Sequence, residues 1–135
     1  WWSLQGGGSY VKQGDLKTAD YQLTNTGKEE SSYHGELRIH PTAKLDIEAS
    51  YSRFEQELGI LSGSVFGNLD DLRQALVVDT PLYTLPFSYD INQPLQEVRH
   101  DPFKGSVRYT GKNHSLQLQY GTHTNRRQEF GVRRS

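Results

Sequence analysis

The five histidines of this chain are the side chains with the widest chemical capacity, because imidazole binds metal ions and transfers protons. His34 and His40 fall on the same side of one predicted strand, where their spacing separates them by roughly 20 Å, too far for one ion. His100 and Asp101 are adjacent possible ligands, but the sequence offers them no further partner. We therefore expect the histidines to make hydrogen bonds, and we predict neither a metal site nor a cofactor.

Other reactive groups are not arranged for catalysis. Asp70 and Asp71 lack the glycine and the regularly spaced acids of a calcium-binding loop, so a favourable charge at the start of a helix is the preferred role. Serines are common, but none lies in a Gly-x-Ser-x-Gly elbow. Cysteine is absent, which excludes disulfides, zinc-thiolate sites and cysteine nucleophiles. We predict that the chain is not an enzyme.

The densest charged cluster contains Arg126, Arg127 and Glu129 near the end of the chain. The preferred interpretation is a solvated strand end whose cations pair with phosphate groups. The alternative is contact with an anionic ligand or with another domain of the same protein. The formal net charge is only −1, so no basic excess indicates nucleic acid.

The elements that must position these residues are segments in which apolar and polar residues alternate. Period-2 alternation is typical of a strand with one apolar and one polar face. The sequence predicts five such strands, the first of them weaker than the others: Trp2–Tyr10, Tyr33–His40, Leu45–Ser52, Phe103–Tyr109 and Leu116–His123.

The connections between the predicted strands alternate between short and long. Pro41–Lys44 and Thr110–Asn113 form short turns, whereas residues 12–28 and 59–96 form long loops. A helix is predicted at Leu69–Val77 within the second loop. In a meander, alternate connections lie at opposite ends of the sheet. Short turns at one end and long loops at the other are typical of an outer-membrane barrel.

Alternation alone fits either a soluble sheet or a membrane barrel, and three features favour the barrel. The polar parity carries both signs of charge, as Glu36, Arg38 and Glu48 show, which suits side chains that line a lumen or face a plug. Tyr51 and Tyr120 close two strands where an interfacial aromatic girdle would lie. No second apolar layer is predicted that could cover the five strands. No run of about 20 apolar residues predicts a membrane helix.

Segments along nearly the whole chain resemble the barrel of TonB-dependent outer-membrane receptors, and they occur in the same order as in that family. They are Tyr21–Gly27, Tyr51–Phe54, Glu57–Leu61, Gly67–Leu72, Pro86–Ile91, Pro94–Asp101 and Tyr120–Phe130. The resemblance implies a barrel of about 22 strands that a plug domain precedes. Residues 1–135 are then a partial barrel that lacks the plug and the remaining strands. The expected fold is an all-β, antiparallel transmembrane barrel segment with long extracellular loops and one short loop helix.

The resemblance implies a function in the bacterial outer membrane. The expected activity is uptake of a scarce ligand, such as a siderophore, cobalamin or an oligosaccharide. The expected partners are outer-membrane lipid and lipopolysaccharide, the missing strands and plug, TonB through that plug, and other membrane-complex subunits. Candidate ligand contacts in the extracellular loops are Tyr83, Tyr89, Gln93, Gln96 and Arg99. Candidates that face the lumen or plug are Glu36, Arg38, Glu48, Arg126, Arg127 and Glu129.

Several alternatives and departures remain open at this point. A secreted soluble β-sandwich that binds carbohydrate is the second hypothesis, and an outer-membrane hydrolase is the third. Pro102 departs from the family pattern and predicts either a bulge or a strand that begins only at Phe103. Gly6–Ser9 is either an added linker or, as we prefer, part of a strand. Because methionine is absent, we expect Trp1 to follow processing or to lie within a longer polypeptide.

Overall fold

A computed structural model describes residues 1–61, 69–78 and 84–131 of the chain. Its elements are β1 (Trp2–Gln13), β2 (Lys28–Thr42), β3 (Leu45–Gly59), α1 (Leu69–Val77), β4 (Leu95–Thr110) and β5 (Ser115–Phe130). The strands form one antiparallel sheet in the order β1-β2-β3-β4-β5. The predicted all-β architecture of five strands is confirmed. Within the described residues the sheet is open, with β1 and β5 at its edges.

The strands are longer than the alternating segments that predicted them. β3 continues beyond Ser52 to Gly59, and β5 continues beyond His123 to Phe130. β4 already begins at Leu95 and passes through Pro102. The expectation that this strand begins only at Phe103 is therefore wrong, because the neighbouring strands keep β4 extended on both sides of the proline. Gly6–Ser9 lies inside β1, as preferred.

The connections keep the predicted contrast in length. β2 and β3 are joined by Ala43 and Lys44 alone, and residues 111–114 join β4 to β5. The loop helix at Leu69–Val77 is confirmed. No helix in the described residues is long and apolar enough to cross a membrane.

The chain divides into two compact units. The first contains Trp1–Tyr10, Ser31–Glu55 and Val98–Arg126, and the second contains Val11–Glu30, Gln56–Glu97 and Arg127–Ser135.

The first unit has two chemically different faces. Cross-strand contacts of His40 with Asp46 and of Arg38 with Glu48 lie on the polar face. Because alternate residues of a strand point to opposite sides, the intervening residues form the apolar face. Its members are Trp2, Leu4, Tyr33, Leu37, Ile39, Leu45, Ile47, Ala49, Tyr51, Phe103, Val107, Tyr109, Leu116, Leu118 and Tyr120.

Most side chains of the apolar face are exposed among the described residues. Across the parts of the chain that the structure describes, no hydrophobic side chain is buried, so the sheet has no hydrophobic core of its own. Leu116, Leu118 and Tyr120 are 69%, 71% and 64% exposed. The face therefore lacks the second layer that packs against an amphipathic sheet in soluble domains.

The second unit is held by buried polar groups. The buried polar or charged residues among those described are Asp15, Thr24 and Asn25, and Asn25 is only 5% exposed. Asn25 Nδ2 donates hydrogen bonds to the carbonyl oxygens of Ile60 (2.9 Å), Asn92 (2.8 Å) and Pro94 (2.9 Å). Its Oδ1 accepts a hydrogen bond from the Asn92 N–H at 2.7 Å. One amide thus ties the β1–β2 loop to the end of β3 and to the segment before β4.

The backbone around Asn25 requires special residues. Asn25 has φ 61°, a left-handed conformation that asparagine tolerates better than most residues. A Cβ at Gly59 would lie 2.5 Å from the Asn25 carbonyl oxygen, so only glycine fits there. Asp15 adds a second link, because its carboxylate accepts hydrogen bonds from the Thr26 and Ser88 N–H groups. The loop that contains Tyr89 and Gln93 is therefore anchored at defined points.

Candidate functional site

The polar face of the first unit brings together three of the predicted lumen residues. Arg38 Nε lies 2.5 Å from Glu36 Oε1 and 3.7 Å from Glu48 Oε1. These residues, with Ala49, Ser50, Lys104 and Ser106, line an open cavity of about 190 Å³. Glu48 and Arg38 are half exposed, so the pairs lie in contact with solvent. The cavity offers both charges to a polar ligand or to a polar protein surface.

The charged cluster on β5 is divided between the two sides of the strand. In the second unit, Arg127 Nη2 donates to Gln96 Oε1 at 2.7 Å and to Glu129 Oε1 at 2.8 Å. Arg126 belongs to the first unit and has the same strand parity as Leu118 and Tyr120. Alternation therefore places Arg126 on the opposite side of β5 from Arg127 and Glu129.

The predicted ligand residues of the long loop have different surroundings. Tyr89 is exposed and makes an edge contact with Phe87, with ring centroids 4.9 Å apart. Gln93 is exposed, and Gln96 is bonded to Arg127. Tyr83 lies outside the described residues.

Arg99, the last predicted ligand residue, belongs instead to a charged network in the first unit. Arg99 Nε donates to Asp101 Oδ2 at 2.6 Å, and the Tyr51 hydroxyl donates to Asp101 Oδ1 at 2.9 Å. Arg53 and Glu55 on β3 complete the network, with Arg53 Nε 3.6 Å from Asp101 and Arg99 Nη1 3.8 Å from Glu55. These residues share the strand parity of the apolar face, just beyond its tyrosines. A signal for this network was present in the sequence. On the strand side that carries Tyr51, the next residues, Arg53 and Glu55, are charged instead of apolar.

Hydrogen bonds and ion pairs lower the pKa of two carboxyl groups, those of Asp101 and Glu30. The pKa of Asp101 is lowered by the hydrogen bond from Arg99 and, to a lesser extent, by the one from Tyr51. The pKa of Glu30 is lowered by Lys28 and Gln56. Both carboxyl groups are therefore held as anions, which suits charge pairing and not general acid chemistry.

His100 and Asp101 were considered as adjacent metal ligands in the sequence. They point to opposite sides of β4, because neighbouring residues of a strand alternate between its two sides. Among the described residues, no group of three histidine or acidic side chains converges as a metal site. The arrangement thus supplies charged and hydrogen-bonding surfaces. No protein-family description, curated protein or solved structure matches the chain.

Proposed function

We propose that this chain forms part of the wall of an outer-membrane β-barrel, in a transporter of the TonB-dependent class that takes up a scarce ligand. The observation that carries the proposal is the exposed apolar face, which extends over all five strands of the first unit while no described hydrophobic side chain is buried. Hydrocarbon is the solvent that such a face requires.

The free energy at stake is large. Fully burying one side chain of the size of leucine, valine or phenylalanine contributes about 1.5–3 kcal/mol. Left in water, the apolar face would forgo this contribution at most of its positions. Lipid contact recovers the contribution without a second protein layer. It also explains why most side chains of the opposite face are polar.

The depth of the apolar face suits a bilayer. The strands contain 12 to 16 residues, and a spanning strand needs about 9–11. On β3 the apolar parity is uncharged from Leu45 to Tyr51, and on β4 from Phe103 to Tyr109. We take these stretches, with Trp2–Gly8, Tyr33–Ile39 and Leu116–Tyr120, as the hydrocarbon-facing centres of the membrane-spanning strands.

Aromatic residues mark one border of these segments. Tyr33 lies against Tyr51 with ring centroids 6.2 Å apart, and Phe103 lies against Tyr120 at 6.4 Å. Immediately beyond them, Arg53 and Asp101 occupy the same face. A row of aromatic rings between apolar and charged residues is the pattern of a membrane interface.

The polar face then lines the lumen of the completed barrel. There, the cavity beside Glu36, Arg38 and Glu48 would meet a plug domain or the transported ligand. The loop that Asn25 anchors would contribute ligand contacts on the extracellular side, with Tyr89 and Gln93 as candidates. The two sheet edges would pair with further strands, since unpaired backbone groups are not tolerated in hydrocarbon. TonB would act through the plug, and no covalent chemistry is required.

The requirement for detergent tests the barrel part of this proposal. We expect the purified chain to aggregate in plain buffer and to regain β-structure only in detergent micelles or lipid vesicles, because its apolar face has no protein cover. Circular dichroism and size-exclusion chromatography measure both properties. A folded monomer in plain buffer would exclude the barrel and support the alternative, a secreted β-sandwich that binds carbohydrate.

The transporter part is tested by the gene that encodes the chain. We expect the reading frame to continue upstream of Trp1 through a plug domain of roughly a hundred residues, within the usual size range of a domain. A barrel gene without a plug would retain the membrane wall but exclude TonB-dependent uptake.

A further inference from the structure

Two histidines meet on neighbouring strands of the first unit. His100 Nδ1 on β4 and His123 Nε2 on β5 are 3.3 Å apart, and their ring centroids are 5.5 Å apart. The β4–β5 pairing that joins Phe103 to Tyr120 also places these two histidines opposite each other. The contact is therefore fixed by the backbone of the sheet.

We propose that His100 and His123 form a two-histidine binding site for a divalent transition metal ion, with Zn²⁺ as the best match. Zinc–nitrogen bonds of 2.0–2.1 Å at the tetrahedral angle place the two ligand nitrogens about 3.3–3.4 Å apart. The observed separation of 3.3 Å equals this distance. Imidazole is also a ligand type that zinc prefers, whereas magnesium and calcium prefer oxygen.

The surroundings leave room for the ion and its water. Gly121 precedes His123 on the same side of β5, and a Cβ there would meet only one atom within 4 Å, the Phe103 carbonyl oxygen at 3.8 Å. An open cavity of about 370 Å³ extends over this part of β5 and includes His123. On the other side, the ring centroid of Phe54 lies 6.0 Å from that of His100, which is half-buried, whereas His123 is exposed. One ligand is thus supported by packing while the other remains accessible.

The site has two protein ligands, because no third histidine or acidic group of the described residues converges on it. Water would fill the other positions, as in open zinc sites that exchange their ligands. The expected role is therefore reversible capture of a metal ion or of a metal complex with free coordination positions. This role depends only on the β4–β5 pairing, and it would stand if the transporter proposal failed.

The other histidines lack this arrangement and provide controls. His40 contacts Asp46 and Trp1, and His34 lies against Gly7. His34 is also on the polar face, yet it has no histidine opposite it. A substitution of His34 removes the same chemical group without touching the proposed pair.

The test is a Zn²⁺ titration of the full, folded chain against a chromophoric competing chelator. We expect one Zn²⁺ per chain. Loss of an outer-shell partner alone weakens metal sites by about 10- to 100-fold, so His123→Gln and His100→Gln should each weaken binding at least tenfold. His34→Gln should bind as the parent does. Equal affinity of all four proteins would overturn the proposal.

A measurement on the unsubstituted chain makes the test independent of variant folding. Zn²⁺ should shift the ¹⁵N resonances of His100 Nδ1 and His123 Nε2, which are the nitrogens that face each other. Shifts confined to other histidines, or no shift at all, would show that the two rings form only a hydrogen-bonded pair.

Discussion

Replacing Leu118 by arginine should destabilise the complete barrel that contains this chain, in lipid vesicles, by about 2–4 kcal/mol, the cost of a cation near the bilayer midplane on the lipid face of a barrel. Leu118 lies in the middle of the apolar stretch of β5, between Leu116 and Tyr120. The effect arises because the guanidinium must leave water or deform the bilayer. Urea-induced unfolding in vesicles, followed by tryptophan fluorescence, measures the free energy of unfolding.

The matched control is Gln119→Arg, on the next residue and on the opposite side of the same strand. This side faces the aqueous lumen in the proposed barrel, so the expected change is within about 0.5 kcal/mol. The comparison separates lipid from water as the solvent of the apolar face. Leu118 is 71% exposed. If water lay on both sides of the sheet, Leu118→Arg would therefore be tolerated to the same extent as Gln119→Arg. Equal stability of the two variants would contradict the membrane proposal.

Asn25→Asp should open the second unit, because it removes the NH₂ group whose two N–H donors are shared among the carbonyl oxygens of Ile60, Asn92 and Pro94. Each buried polar group left without its partner costs about 1–3 kcal/mol, and the new carboxylate would also face carbonyl oxygens. We expect a loss on the order of 3 kcal/mol, which corresponds to roughly 100-fold faster local opening. Aspartate nearly preserves the shape of the side chain, so the effect reports the lost hydrogen bonds together with the repulsion of the new charge, without a change in packing volume.

Amide hydrogen exchange at Gly59 and Ile60 is the appropriate readout. Their N–H groups donate to the carbonyl oxygens of Gly27 and Pro94, next to Asn25. The control is Asn92→Asp, which introduces the same charge at an exposed residue that takes part through its backbone N–H and C=O. Its exchange rates should match those of the parent. Slow exchange in Asn25→Asp would mean that the loops are held by other contacts.

The order and number of the elements were predictable because their signals are local. The alternation around Tyr33–His40 and Leu45–Ser52 predicted neighbouring strands with a tight turn. The leucines of Leu69–Val77 predicted the helix with its observed ends. Each of these patterns is complete within a few residues of the chain.

The strand ends were not predictable, because the alternation of apolar and polar residues does not continue to the ends of the strands. Beyond Tyr51, the parity that had been apolar carries Arg53 and Glu55, while the other parity carries Phe54. A period-2 pattern with mixed polarity on both sides does not indicate a half-buried strand, yet hydrogen bonding to β2 and β4 extends β3 to Gly59. In a membrane barrel, this change of pattern would mark the border of the bilayer.

The site contacts depend on residues far apart in sequence. Asn25 meets Asn92 and Pro94, which follow it by 67 and 69 residues, and the left-handed conformation at Asn25 has no sequence signature beyond the residue type. His100 and His123 come together only through the register of β4 and β5. Asp101 gave a possible partner for His100 by adjacency, but adjacency in a strand places two side chains on opposite sides.

The most direct test of the membrane wall is a nitroxide scan along β5 of the complete barrel in lipid vesicles. Labels placed one at a time at residues 116–121 report their contact with oxygen, which concentrates in lipid, and with a water-soluble nickel chelate. We predict a period of two, with residues 116, 118 and 120 accessible to oxygen and residues 117, 119 and 121 accessible to the chelate. Equal access of the chelate to both sets would contradict the account.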